Sequence, residues 1–262
     1  MKQSRILLGV LAYEFKMQIR RRSLWIAYIG VAALLFRTML TEITHPQFFG
    51  LTNAPITTLV AALVFSTNIL LPIPLGVFLA DRLPRDRRTR VDELFTSMPG
   101  TLRTRIVGKY LGSTLATIIP MFVSYILLIG FLLYQTHNLL SIPLVAADFV
   151  LIVLPGLLFV AAFSIACPAI LWVPLYQFLF VGYWFWGNAL SPTRTGIPTL
   201  SQTILTPIGT YISAGMLGVS QVGWVTSAPF WEGLASLLLL LGIAVFVLYV
   251  LWRYLSWQQA RQ

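Results

Sequence analysis

Two carboxylates stand where carboxylates are costly. Asp148 and Glu232 fall inside or at the rim of long apolar runs, and an acid at membrane depth is by default a candidate for an ion or proton pathway. Both lie near the end of their run, so hydration or helix capping competes with that role. Glu232 follows Pro229 by three residues, at a helix start where the dipole favours a carboxylate. Asn68, inside another apolar run, needs a hydrogen-bond partner. Little other chemistry is encoded. Gly108-Lys109 lacks both the upstream Gly and the following Ser or Thr of a phosphate-binding loop. Neither HExxH nor GxSxG occurs. His45 and His137 have no companion metal ligands, and the single Cys167 can form no internal disulfide. The expectation is a chain with no catalytic residues, no metal and no directly bound cofactor.

A different kind of site is written in the stretch from Asp81 to Lys109. Thr89 and Asp92 form an [ST]-x-x-[DE] capping box, and Asp92 and Glu93 sit near the positive end of the helix dipole. Pro99-Gly100 ends the helix. Val91, Leu94, Phe95 and Met98 fall at i, i+3, i+4 and i+7, on one face of about two turns. So short a helix is marginal alone in water. Its apolar face is either a knob that docks in a partner's groove or a surface lying among lipid headgroups. Arg85, Arg87, Arg88, Arg90, Arg103 and Arg105 flank it.

The elements that hold these residues are membrane helices. The chain has 262 residues, 58% hydrophobic and 10% charged, against about a quarter charged in a soluble domain. Apolar runs long enough to cross a bilayer recur throughout. The pattern predicts an all-α polytopic protein with one transmembrane domain over 1–262. Residues 1–23 read as a basic amphipathic helix along the inner leaflet, with Glu14, Gln18 and Arg21 on one polar stripe. Spans are expected at 24–40, 56–80, 106–134, 142–163, 169–190 and 229–252. Pro72 and Pro74 should kink the second. Lys109, in the first turn of the third, can snorkel outward. The run from 142 to 190 is too long for one helix and should reverse near Ser164–Pro168.

Residues 81–105 form the loop that carries the short helix. Residues 191–228 are rich in Ser, Thr, Gly and Pro with short apolar pieces, a composition that suits re-entrant half-helices. The first span has no small-residue cleavage site after it and should stay as an anchor.

Of the 18 Lys and Arg residues, all but Arg37 and Arg194 fall on one side of this layout. The positive-inside rule then places both termini and the 81–105 loop in the cytoplasm. The net charge of +10 follows span ends, so it speaks for a membrane surface and against nucleic acid.

The stretch RRTRVDELFTSMPGTLRTRIVGKYLGS, Arg87 to Ser113, resembles the membrane (permease) subunit of ABC-2-type exporters. The shared features are a basic start, a Thr-x-x-(Asp/Glu)-Leu helix, a Pro turn and Gly-Lys opening the next span. The layout of six spans and a basic leader is similar over the whole chain; the segment before the last span is degenerate. The resemblance implies a type V exporter-like architecture in the plasma membrane and a separate cytosolic ABC ATPase that holds ATP and magnesium. It also implies a second permease chain, identical or not. Val91, Asp92, Glu93, Leu94, Phe95 and Met98 would match the coupling helix, and the leader the connecting helix. Competing readings are an ion-coupled secondary transporter using Asp148 or Glu232, and a regulatory subunit that transports nothing.

Overall fold

The computed structural model describes residues 2–44, 55–88, 100–190, 196–219 and 227–261. Among them every regular element is helical. Helix α1 (Lys2–Ile19) is followed by α2 (Arg22–Thr44). The next apolar run is interrupted at Leu71, giving α3 (Ile56–Leu70) and α4 (Pro72–Leu79), and continues as α5 (Arg82–Arg88). Pro72 and Pro74 lack the N–H groups that would close the ladder across this point.

The longest helix is α6 (Leu102–Thr136), started by Thr101, whose hydroxyl accepts from the Thr104 amide. Its 35 residues span roughly 52 Å, well beyond a hydrocarbon core of about 30 Å. Pro120 interrupts its hydrogen bonding from inside.

Helix α7 (Ser141–Asp148) passes through a π-helical turn, Phe149–Val153, into α8 (Leu154–Ala166). A 3-10 turn, Cys167–Ala169, follows, and the chain reverses into α9 (Val173–Asn188). Helix α8 thus continues through Ser164, and the reversal expected at Ser164–Pro168 begins at Cys167. A seven-residue helix, α10 (Thr210–Met216), precedes α11 (Phe230–Gln259).

Five stretches are long and apolar enough to cross a membrane: Arg22–Thr41, Ile56–Asp86, Leu102–Gln135, Ser141–Ala169 and Phe230–Gln259. Their exposed residues are largely apolar, among them Ile26, Leu127, Val150 and Val245, as expected of surfaces facing lipid. The sixth apolar element, α9, has 16 residues, about 24 Å. It runs antiparallel to the second stretch. Gln177 Nε2 donates to the Val77 carbonyl at 3.0 Å, and Trp184 Nε1 donates to the Ile69 carbonyl at 2.7 Å. Phe180 lies directly over Gly76, where a Cβ would collide with the ring.

Helix α1 runs parallel to the first half of α6. Val10 packs on Gly108, and Leu11 and Glu14 on Gly112; a Cβ at Gly112 would stand 2.5 Å from the Leu11 carbonyl oxygen. Gly108 and Gly112 form the small-xxx-small spacing that lets two helix backbones approach closely. The Glu14 and Gln18 side of α1 therefore turns into the protein, while Leu8 and Tyr13 are exposed.

Candidate functional site

The polar residues gather at two levels. The first is the end of the bundle where α1, α5 and the start of α6 meet, hereafter the basic end. Glu14, Arg82 and Lys109 are buried there, at 2%, 1% and 5% exposure. Lys109 Nζ donates to Glu14 Oε1 at 2.9 Å and also pairs with Asp86 Oδ2. It lies 3.5 Å from the Arg82 carbonyl.

One guanidinium nitrogen of Arg82 is 3.7 Å from Glu14 Oε2, and none of its three nitrogens makes a hydrogen bond. Two cations and two anions neutralise one another, but the Arg82–Glu14 half of the cluster is held by charge alone. Beside it Gln18 Nε2 donates to Thr117 Oγ1 at 3.1 Å. A looser, partly exposed pair joins Arg21 to Asp81 at 3.7 Å.

These contacts fasten three separate elements to one point. Glu14 comes from the leader, Arg82 and Asp86 from the helix that opens the 81–105 loop, and Lys109 from the helix that closes it. Breaking one partner out of a buried ion pair costs several kcal/mol, about 3–5, because the other charge is left buried. The cluster therefore resists separation of α1, α5 and α6. Lys109 turns inward to Glu14 and Asp86 instead of snorkelling to the surface.

The second level is the middle of the bundle. Asn68 lies midway between Ile56 and Ala80, is 1% exposed, and donates through Nδ2 to the Ile208 carbonyl at 2.8 Å. Its Oδ1 has no partner. Gly156, near the midpoint of Ser141–Ala169, meets the Pro207 carbonyl so closely that a Cβ would not fit. Gly209, at φ +81°, packs against Ile152; a side chain there would face both the left-handed backbone and the contact.

Thr206 Oγ1 donates to Asn188 Oδ1 at 3.1 Å, and Asn188 Nδ2 to the Trp184 carbonyl at 3.0 Å. The segment 196–219 thus folds back to the middle of two long apolar runs and leaves through α10, where Gly215 packs on Gly233 of α11. A small pocket beside the turn is lined in part by Ile208, Thr210 and Ser213, and the hydroxyls of Thr210 and Ser213 have no hydrogen-bond partner.

The remaining sequence-predicted residues divide as follows. Val91, Asp92, Glu93, Leu94, Phe95, Met98 and Arg90 lie outside the described residues, as do the side chains of Arg87 and Arg88. Arg85 and Arg103 are exposed and Arg105 half-buried. Asp148 is 4% exposed, with Oδ1 unpartnered, at the entry to the π-helical turn. Glu232 is exposed in the first turn of α11, where the helix dipole favours a carboxylate. Among the described residues no group of three or more His, Cys, Asp or Glu side chains is placed to hold a metal.

The polar stripe of Glu14 and Gln18, expected along the leaflet, instead faces Lys109, Arg82 and Thr117 inside the protein. Two signals pointed to it: Glu14 is the only acid of the leader, and Gly108 and Gly112 mark a close helix contact. No protein-family model matches the chain, and comparison with curated proteins finds no match.

Proposed function

We infer that the chain is the membrane subunit of an ATP-driven exporter of the ABC-2 type, working with a separate cytosolic ATPase and a second permease chain. In this reading it has six spans in the plasma membrane, with both termini and the basic end in the cytoplasm. The observation that carries it is the joint at Glu14, Arg82, Asp86 and Lys109. A pump driven from outside the bilayer needs its docking loop mechanically continuous with its spans. Here both ends of the 81–105 loop and the leader are tied by buried charge. The chain folded to mid-bundle at Pro207–Gly209 supports reading 191–228 as the re-entrant segment of such an architecture. Irregular backbone at that depth is tolerated only where protein or a water-filled cavity surrounds it.

In this mechanism the ATPase grips the face formed by Val91, Leu94, Phe95 and Met98. Closure of the ATPase pulls α5 and the start of α6 together with α1, and the spans rock between two openings. A nucleotide shifts that equilibrium only through contacts that differ between the states. ATP and magnesium reside in the partner.

The test is coexpression with a candidate cytosolic ABC ATPase, followed by copurification and transport in proteoliposomes. Truncating a buried Phe costs about 3–5 kcal/mol, so Phe95→Ala is expected to release the ATPase or uncouple its hydrolysis from transport. Normal copurification and transport by Phe95→Ala and Leu94→Asp would refute the reading.

The burial of Asp148, whose Oδ1 has no partner, favours one alternative, an ion-coupled transporter. Transport that survives ATP depletion and is abolished by Asp148→Asn would establish it.

A further inference from the structure

The last turns of α11 carry a feature that neither the joint nor the mid-bundle turn uses. Arg103, from the first turn of α6, lies over the ring of Trp252 with its guanidinium carbon 3.7 Å from the centroid, and Arg253 approaches the same ring at 5.8 Å. One turn further, Arg261 lies 3.8 Å over Trp257. Arg253, Trp257 and Arg261 follow one another at i, i+4 and i+8, so they form one stripe along the helix. All three are exposed, as is Arg103. None of the three arginines joins an ion pair among the described residues. The one acid of α11, Glu232, is at its opposite end.

The stripe has a second half. Above Arg253 the same side of α11 exposes Tyr249 at 54%, Phe246 at 63% and Val245 at 69%. One continuous face thus changes from apolar, Val245 and Phe246, through Tyr249 to the alternating Arg253, Trp257 and Arg261 within about four turns. That order matches the profile of a phospholipid: acyl chain, interface, phosphate. Trp and Tyr concentrate at the interface level, and basic pockets between spans take anionic headgroups. Arginine presents a planar fork suited to two phosphate oxygens, and its ring contacts fix the plane of that fork in advance.

We propose that Arg103, Arg253 and Arg261, set by Trp252 and Trp257, form a binding site for the headgroup of an anionic phospholipid. The acyl chain of that lipid lies along Phe246 and Val245. The site requires only that α11 crosses the membrane and is independent of the exporter reading.

The experiment is native mass spectrometry of the full chain in detergent, supplied with phosphatidylglycerol or phosphatidylcholine of the same acyl chains. Wild type is expected to retain phosphatidylglycerol preferentially, and to lose that preference as salt is raised. At roughly 1 kcal/mol per basic residue near the surface, each of Arg103→Gln, Arg253→Gln and Arg261→Gln should lower the preference about fivefold. Lys16→Gln, at an exposed position of α1, should leave it unchanged.

Equal retention of the two lipids by wild type would overturn the proposal without recourse to any variant. So would an unchanged preference in the triple variant, or displacement of phosphatidylglycerol by millimolar inorganic phosphate. Formation of a dimer crosslinked through Trp257→Cys in the Cys167→Ala background, with lipid excluded, would assign the face to a second copy instead.

Discussion

The protein buries polar groups at two levels and by opposite means. At the basic end it buries formal charges, and their pairing is incomplete: Lys109 is shared by Glu14 and Asp86, while Arg82 has only a distant carboxylate. At mid-bundle it buries neutral amides and hydroxyls, some bonded to backbone carbonyls and to each other and others, Asn68 Oδ1 and the Thr210 and Ser213 hydroxyls, without a partner but also without a charge. The difference follows from depth. Near the end of a bundle, water can compensate a charge whenever the contact opens. In the middle of two apolar runs no such relief exists. A charged joint can therefore exchange partners, whereas the neutral turn is fixed in shape by glycine and by hydrogen bonds.

The sharpest way to break this comparison is Glu14→Ala. It leaves Arg82 without a counter-charge and Lys109 with Asp86 alone, and should lower stability by about 3–5 kcal/mol, read as thermal unfolding in detergent. Replacing Glu14 by Leu and Arg82 by Met together should restore most of that loss, because a buried pair and its apolar substitute often have similar stability. A loss below about 1 kcal/mol for Glu14→Ala would place the joint in water, among surface pairs.

Next in size is Gly156→Val, which drives a side chain into the Pro207 carbonyl. It should cost about 1–3 kcal/mol by overpacking. Gly182→Val, on α9 with open space around it, is the matched control and should not destabilise. Asn68→Ala removes the donor to Ile208 and should cost about 1–3 kcal/mol, the desolvation of a buried carbonyl left unpaired. Arg21→Gln should cost the least, about 0–1 kcal/mol, since the Arg21–Asp81 pair is long and partly exposed. If Arg21→Gln proved as damaging as Glu14→Ala, the distinction between buried joint and exposed rim would fail.

How much of this was legible in the residues depended on what kind of partner each one has. Apolar length placed all five long stretches close to where they lie, and Pro72 and Pro74 marked the interruption of the second. Asn68 announced its need for a partner, but the partner is the Ile208 carbonyl, and a backbone carbonyl has no signature in sequence. Asp148 and Glu232 looked alike, each near the end of an apolar run. One is buried and the other exposed, because burial depends on which helix face meets a neighbour. At Asp148 that phase is reset within one turn by the π-helical segment. The leader shows the same limit. Its polar stripe was visible, but the glycines of α6 decide which way that stripe turns.

Pro120 gives α6 one further property. Having no N–H, it offers nothing to the Ala116 carbonyl, one turn before it, and the last contact of α1, Gln18 to Thr117, falls just below that gap. The helix is continuous in outline but not in stiffness. Below Thr117 it is splinted by α1; above Pro120 it stands without that splint. Above Pro120 the bracing passes to Phe36 of α2 and to Phe149, so a bend in α6 would fall beside Pro120, where one brace gives way to another.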